Sequence, residues 1–166
     1  AIALSGKSFE IKLKKYVKED LQFHYLPNWA DDLKIDIKAF KFSEDDRVQF
    51  TFAGNLGKVQ NLEKIIMAFC LVLQTNNKAQ LNIIGDGSNI KNLKEIANYN
   101  QNVVFHGKKM RENMSKFYQG SDFLIVSLID EPIFSLTVPA KTQTYIAAKK
   151  PIIGCLLYTS PSPRDS

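Results

Sequence analysis

The sequence predicts an α/β fold built on a doubly wound parallel sheet, and three observations predict it. From residue 48 onward, short β-rich runs alternate with stretches of helical periodicity. Within DFLIVS at 122–127 the run FLIV is apolar without a break, as in a strand covered on both faces. The stretch FTFAGNLGKVQNLEKIIMAF at 50–69 joins an apolar run, a glycine-bearing turn and a helical pattern in that order. Strand–helix alternation at this spacing implies right-handed βαβ crossovers.

Taken in order, residues 1–4 read as the end of a strand. A helical stretch follows Ser5-Gly6, with Phe9, Leu13, Tyr16 and Val17 on one face. LQFHYL at 21–26 alternates like a strand and is closed by Pro27-Asn28. Residues 29–47 are polar, charged and weakly patterned, as in an inter-domain crossing. Asp31-Asp32 and Asp45-Asp46 within it read as solvated carboxylates or helix caps rather than metal ligands. Residues 48–53 form the next strand, and Leu62, Ile65, Ile66, Phe69 and Leu73 recur at helical spacing. A strand at 81–84 ends in Gly85-Asp86-Gly87-Ser88, with Ser88 placed to cap a helix that buries Ile90, Leu93, Ile96 and Ala97. A strand at 103–105 stops at His106-Gly107, a helix covers 110–118, and the buried strand follows. A helix at 139–148 opens on proline, and residues 151–154 form the last strand.

Three segments follow: 1–47, the remnant of an N-terminal domain and a crossing; 48–156, the ligand-binding domain; and 157–166, a tail. The tail, LYTSPSPRDS when read from 157, is Ser/Pro-rich and unpatterned, and resembles the translated read-through of a cloning adapter. The chain opens on AIALSGKSF, and a βαβ domain should run past its strand at 151–154, so both ends are expected to be cut short.

Composition excludes some classes. A net charge of +5 spread along the chain suits a nucleotide or an anionic surface. A specific nucleic-acid binder is not expected, because no RNP-like aromatic signature or dense basic arm is present. Cys70 and Cys155 lie in apolar runs without metal-ligand spacing and are expected to be buried structural thiols in a reducing compartment. No run reaches the ~18 apolar residues of a membrane span, and no metal site is expected.

In an open parallel sheet, ligands bind beyond the carboxyl ends of the strands. Four loops qualify: 54–60, 85–89, 107–111 and 128–141. The first offers Gly54 and Gly57 for close backbone approach, Lys58 as a mobile cation, and the positive end of the next helix for an anion. It matches neither a P-loop nor a dinucleotide fingerprint. Gly85 and Gly87 permit positive φ. The last loop carries Asp130, Glu131, Pro132, Pro139, Lys141 and Tyr145. Lys141 falls in a first helical turn, where a cation opposes the dipole and favours a bound anion. No Ser/His/Asp triad or spaced carboxylate pair is visible, so catalytic residues stay unassigned; His24 and His106 lie in or at the end of strands.

In sequence order, AGNLG, the GDG after a strand, VVFHG, SDFLIVSL and PAKTQTYIAAKKPII resemble the C-terminal half of a GT-B glycosyltransferase of the retaining family 4 group. YLPNWADD resembles the crossing between that family's domains. The resemblance implies a Rossmann-like half that binds a nucleotide-diphosphate sugar, with a UDP-sugar the expected donor. That donor is a substrate, so no cofactor or metal is implied. It places Gly54, Asn55, Gly57 and Lys58 at the diphosphate, Gly85 and Gly87 at the nucleoside, and the backbone of Lys108 and Lys109 at the base. Glu131 and Lys141 fall near the sugar and phosphates, and Tyr145 near the ribose. The sequence departs from the family where Asn55 and Gln60 stand for the usual Arg and Lys. The paired glutamates would fall on Leu136 and Thr144.

The function so implied is sugar transfer with retention in cell-surface polysaccharide or glycolipid synthesis. The missing partner is an acceptor-binding domain, without which this chain is expected to be inactive. A cytoplasmic location, with peripheral association at the inner membrane face, goes with it. The alternatives are a non-catalytic nucleotide-binding or protein-interaction module, and a GT-B nucleotide-sugar 2-epimerase.

Overall fold

The computed structural model describes residues 1–18, 20–30, 33, 37–134 and 138–155. A small sheet pairs β1 (Ile2–Leu4) in parallel with β2 (Phe23–Tyr25) through α1 (Phe9–Leu13). The helix is shorter than the sequence suggests and buries none of its residues. A helix of so few turns, without a packed face, has little to propagate it.

The larger sheet has five strands in the order β5-β4-β3-β6-β7, all parallel. They are β3 (Val48–Ala53), β4 (Ala79–Ile84), β5 (Val103–Gly107), β6 (Phe123–Ser127) and β7 (Ile152–Cys155). The crossovers are α2 (Leu62–Thr75), α3 (Ile90–Ala97), α4 (Met114–Gln119) and α5 (Ala140–Ala147). Strand order reverses between β3 and β6, which makes their carboxyl ends the switch point.

On one face, Phe52, Leu81, Ile83 and Ile125 pack under Leu62, Ile66 and Phe69 of α2 and Leu93 and Ala97 of α3. The helical spacing in the sequence identifies those positions, because residues three and four apart share a face. On the other face, Ala53, Ile84, Leu124 and Val126 pack with Phe117 and Tyr118 of α4 and Tyr145 of α5. Phe40 and Phe42 from the crossing segment join this second cluster, and the Phe40 amide donates to Lys116 O at 2.8 Å. The crossing is therefore docked at these residues rather than solvated throughout.

Several expectations change. β5 continues through His106 to Gly107, and the helix expected over 110–118 divides into a 3-10 turn (Arg111–Asn113) and α4. Asn89 occupies the cap of α3 and Ser88 does not cap it; the Asn89 side chain reaches Glu63 instead. Cys70 is half-buried against the first core, but Cys155, at the end of β7, is exposed. Asp45 pairs with Arg47 in an exposed loop, and among the described residues no His, Cys, Asp and Glu cluster could hold a metal ion. Asp31, Asp32 and the tail lie outside the described residues.

Candidate functional site

Three loops converge above the carboxyl ends of β3, β4 and β5. Gly54 and Asn55 follow β3, Gly85 to Gly87 follow β4, and Lys108 to Glu112 follow β5. They surround a cavity of about 1140 Å³ whose floor is Ala53 and Ile84. Met114, Ser115 and Tyr118 of α4 form one wall, and Leu33 of the crossing segment reaches it as well.

Backbone bonds tie the first two loops together. The Gly54 amide donates to Ile84 O, Leu56 to Asp86 O, and Asn89 back to Leu56 O, each at 2.9–3.0 Å. Gly85 donates to Gly107 O at 3.0 Å, which joins the third loop to the second. Gly85 has φ +143°, and a Cβ there would stand 1.8 Å from Gly54 O. A Cβ on Gly87 would stand 2.6 Å from the Leu56 backbone. These glycines thus permit chain to approach chain, where the sequence suggested chain approaching ligand. The first loop is also longer than a simple strand-to-helix turn. A 3-10 turn (Lys58–Gln60) precedes α2, and Asn61 sits at its cap with φ 52°.

Of the residues singled out in the sequence, Gly54, Asn55, Gly85, Gly87, Lys108 and Lys109 line the cavity. Gly57, Lys58, Glu131, Lys141 and Tyr145 are not among its lining residues. Lys58 and Glu131 are exposed, although the Ile129 amide bonds to Val59 O at 2.9 Å and brings their two loops together. Tyr145 corrects its expected place near a ribose. It is wholly buried, its hydroxyl donating to Ala53 O at 3.2 Å and accepting from the Ala53 amide at 3.0 Å. Burial raises this hydroxyl's pKa well above the usual value. Tyr145 therefore holds the end of β3, and through it the cavity floor.

Lys141, in the first turn of α5, sends its ammonium over the Phe52 ring, 3.9 Å from the centroid, and donates to Gln60 Oε1 at 2.8 Å. Burial pushes its pKa down to about 8. His106 bonds to Asn82 Oδ1 at 2.9 Å, and burial followed by the nearby Lys109 charge lowers its pKa. Leu136 lies outside the described residues, and Thr144 is half-buried on α5.

Asp86, Met110 and Arg111 lie in loops that the sequence marked without being singled out, and Glu112 and the α4 wall fall outside those loops. The run KKMRE directly after a strand was the available signal for the rim. Nothing in the sequence pointed to Leu33.

Residues 34–138, more than half of the chain, match the family model of the glycosyl transferases group 1. The chain belongs to that family. It is 27% identical over 164 residues to the probable glycosyltransferase WbjE of Pseudomonas aeruginosa, covering 93% of this chain and 40% of that protein. Among solved structures it is similar to WaaG, a glycosyltransferase involved in lipopolysaccharide biosynthesis. There the TM-score is 0.69 and the identity 17%, over 92% of this chain and 43% of that one. It is also similar to a variant of S. aureus TarM in complex with Fondaparinux, alpha-GlcNAc-glycerol and UDP. That match has a TM-score of 0.66 and 12% identity, over 93% and 29% of the two chains. A third match is the pneumococcal O-GlcNAc transferase GtfA in complex with UDP and GlcNAc, with TM-score 0.65 and 13% identity, over 96% and 30%. The fold is that of the GT-B glycosyltransferases, and this chain spans less than half the length of each of these proteins. Among the described residues no helix is long and apolar enough to cross a membrane.

Proposed function

We infer that this chain binds the nucleotide-diphosphate sugar of a retaining glycosyltransferase that builds a cell-surface polysaccharide or glycolipid. One observation carries the reading. Three loops of a parallel sheet converge beside its switch point on a cavity of about 1140 Å³ rimmed by Lys108 and Lys109. The UDP present in the TarM and GtfA complexes supports a uridine nucleotide as the donor's leaving part.

In this proposal the base lies against the backbone at Lys108 and Lys109, and the diphosphate passes Gly54 and Asn55. Gly57, Lys58, Glu131 and Lys141 belong to the phosphate and sugar end of the site. Fixed dipoles and cations would stabilise charge on the departing diphosphate, so the donor enters as a substrate and no coenzyme or metal is called for. Transfer would take place against an acceptor-binding half facing the cavity, and this chain by itself would bind donor without turnover. A cytoplasmic place, peripheral to the membrane, suits such an acceptor.

The test is a thermal-shift titration with UDP, GDP, ADP and their sugar conjugates. A ligand that binds only the folded chain adds about 2.7 kcal/mol at a hundredfold excess over Kd. The expected result is a raised melting temperature with one nucleotide, lost in the charge-reversed double variant Lys108→Glu, Lys109→Glu. No rise with any of them, on a chain that unfolds cooperatively, overturns the reading.

A further inference from the structure

α4 gives the cavity a helical wall through Met114, Ser115 and Tyr118, yet it has only six residues. A helix that short is marginal by itself and depends on what it packs against. One neighbour is α5, whose Tyr145 ring meets the Tyr118 ring edge-on with centroids 5.6 Å apart. The other is the crossing segment. The Phe40 and Phe42 rings lie 4.5 and 6.1 Å from the Phe117 ring, centroid to centroid. Lys116 O, in the last turn of α4, accepts from the Gly120 amide at 3.1 Å and from the Phe40 amide at 2.8 Å. A carbonyl oxygen has room for both donors, and one of them comes from outside the helix.

Gly120 is the second observation. It ends α4 with φ −76°, helical backbone that any residue adopts. A Cβ there would nevertheless stand 2.1 Å from Phe40 O and 3.3 Å from a Phe42 ring carbon. The missing side chain makes room for the crossing segment, and the turn itself does not require it. The anchorage continues beyond Phe42. Gln80 Nε2 donates to Phe42 O at 3.5 Å, and Gln49 Nε2 to Ser43 Oγ at 3.0 Å. Earlier in the same segment, Leu33 lines the cavity and packs on the cluster that also holds Phe40, Phe42 and Met114. One segment thus borders the cavity and clamps the helix that forms its wall.

We propose that Phe40 to Ser43 act as a strap that positions α4, so that a docked strap and a filled cavity stabilise one another. Phe40 and Gly120 are the positioning pair, and neither lines the cavity. That the cavity holds a nucleotide rests on the donor reading above; the coupling rests on the contacts of the strap. A pull on the crossing segment would then be felt in the cavity as a change in affinity. A bound nucleotide would in turn tighten the crossing, since coupling between two sites is reciprocal.

UDP titration and amide hydrogen exchange on the 166-residue chain test it. Gly120→Ala sets a methyl group against Phe40 O. Phe40→Leu removes the ring but keeps an apolar side chain, a change that cores tolerate. Lys38→Ala, an exposed charge on the same segment, is the control. Gly120→Ala should weaken UDP by ~5- to 150-fold, the usual span of coupling between sites, and Phe40→Leu by less. In both, the Phe117 and Tyr118 amides should exchange faster while that of Leu81, bonded to Asn102 O in the core, does not. Lys38→Ala should change neither reading. In the wild type, saturating UDP should slow the Phe40 amide but not that of Leu26, which bonds to Leu4 O in the small sheet. Faster α4 exchange with unchanged UDP affinity overturns the proposal, and so does a Phe40 amide indifferent to bound UDP. Faster exchange shared equally by Leu81 marks a general loss of stability and also counts against the strap. Should UDP fail to bind the wild type, the donor reading falls and α4 exchange in Phe40→Leu decides alone. Faster exchange there keeps the strap as the support of the wall, and unchanged exchange sinks both.

Discussion

The two faces of the five-stranded sheet are held by different physics. Beneath α2 and α3, Phe52, Leu81, Ile83 and Ile125 make a wholly apolar layer. On the opposite face the first halves of β3 and β4 present Gln49, Thr51, Gln80 and Asn82, all buried. There Asn82 Nδ2 donates to Gln49 Oε1, and Asn82 Oδ1 accepts from Gln80 Nε2, each at 2.9 Å. His106 Nε2 lies 2.9 Å from the same oxygen; a carbonyl oxygen can only accept, so this nitrogen carries the proton. Gln49 Nε2 then donates to Ser43 Oγ at 3.0 Å and to Arg47 O at 2.9 Å, tying the crossing segment to the sheet. Apolar packing is non-directional and tolerates repacking. A bonded ladder fixes the relative positions of three strands and a strap, and it leaves orphans when one member is lost.

The sharpest way to break this contrast is on the apolar side. Phe52→Ala removes a fully buried ring at the centre of that layer and should cost about 3–5 kcal/mol in urea unfolding. A cost under 1 kcal/mol would mean that the α2/α3 face is not the main source of stability.

Lys141 stands where the faces meet, since it springs from α5 on one side and rests on Phe52 of the other. Its native pKa of about 8 lies below its ordinary 10.5. Between those values the native chain has released a proton that the unfolded chain still holds. Stability should therefore rise with pH across that window, by about 3 kcal/mol, and stay flat in this term below it. Denaturation curves of wild type and Lys141→Met at pH 7 and pH 10.5 check this. The rise should be present in the wild type and missing from the variant; parallel curves would show that the ammonium is not desolvated.

The smallest effect belongs to the ladder. Asn82→Leu keeps the volume roughly constant but leaves Gln49, Gln80 and His106 without their shared partner, at about 1–3 kcal/mol. A loss as large as that of Phe52→Ala would erase the distinction between the faces, and no loss would show that the ladder adds nothing net.

This contrast also explains what the sequence could and could not show. Positions such as Leu62, Ile66, Phe69 and Leu93 declare themselves, because burial against a sheet imposes helical spacing on apolar side chains. So does β6, which is covered on both faces. Gln49, Thr51, Gln80 and Asn82 alternate with apolar residues and look like a solvent face; only Phe40, Phe42 and the amide ladder reveal them as interior. The site divides in the same way. Gly54, Asn55, Gly85, Gly87 and Lys108 follow strands, so topology brings them together at one edge. The α4 wall and Leu33 arrive by tertiary docking, which local pattern does not encode. Tyr145 has the composition of a ligand contact and the environment of a core residue, and only its bond to Ala53 separates the two roles.

The seam between Gly54 and Gly85 sets the terms for redesigning this molecule. With the Gly54 carbonyl oxygen standing where a side chain on Gly85 would begin, the two main chains are butted like timbers in a joint. The width of the pocket mouth on that flank is fixed by backbone, so library mutagenesis at Gly85 should return unfolded clones rather than new preferences. Altered ligand choice has to be sought across the opening, at Lys108 to Glu112 and along Met114 and Ser115, where side chains set the outline.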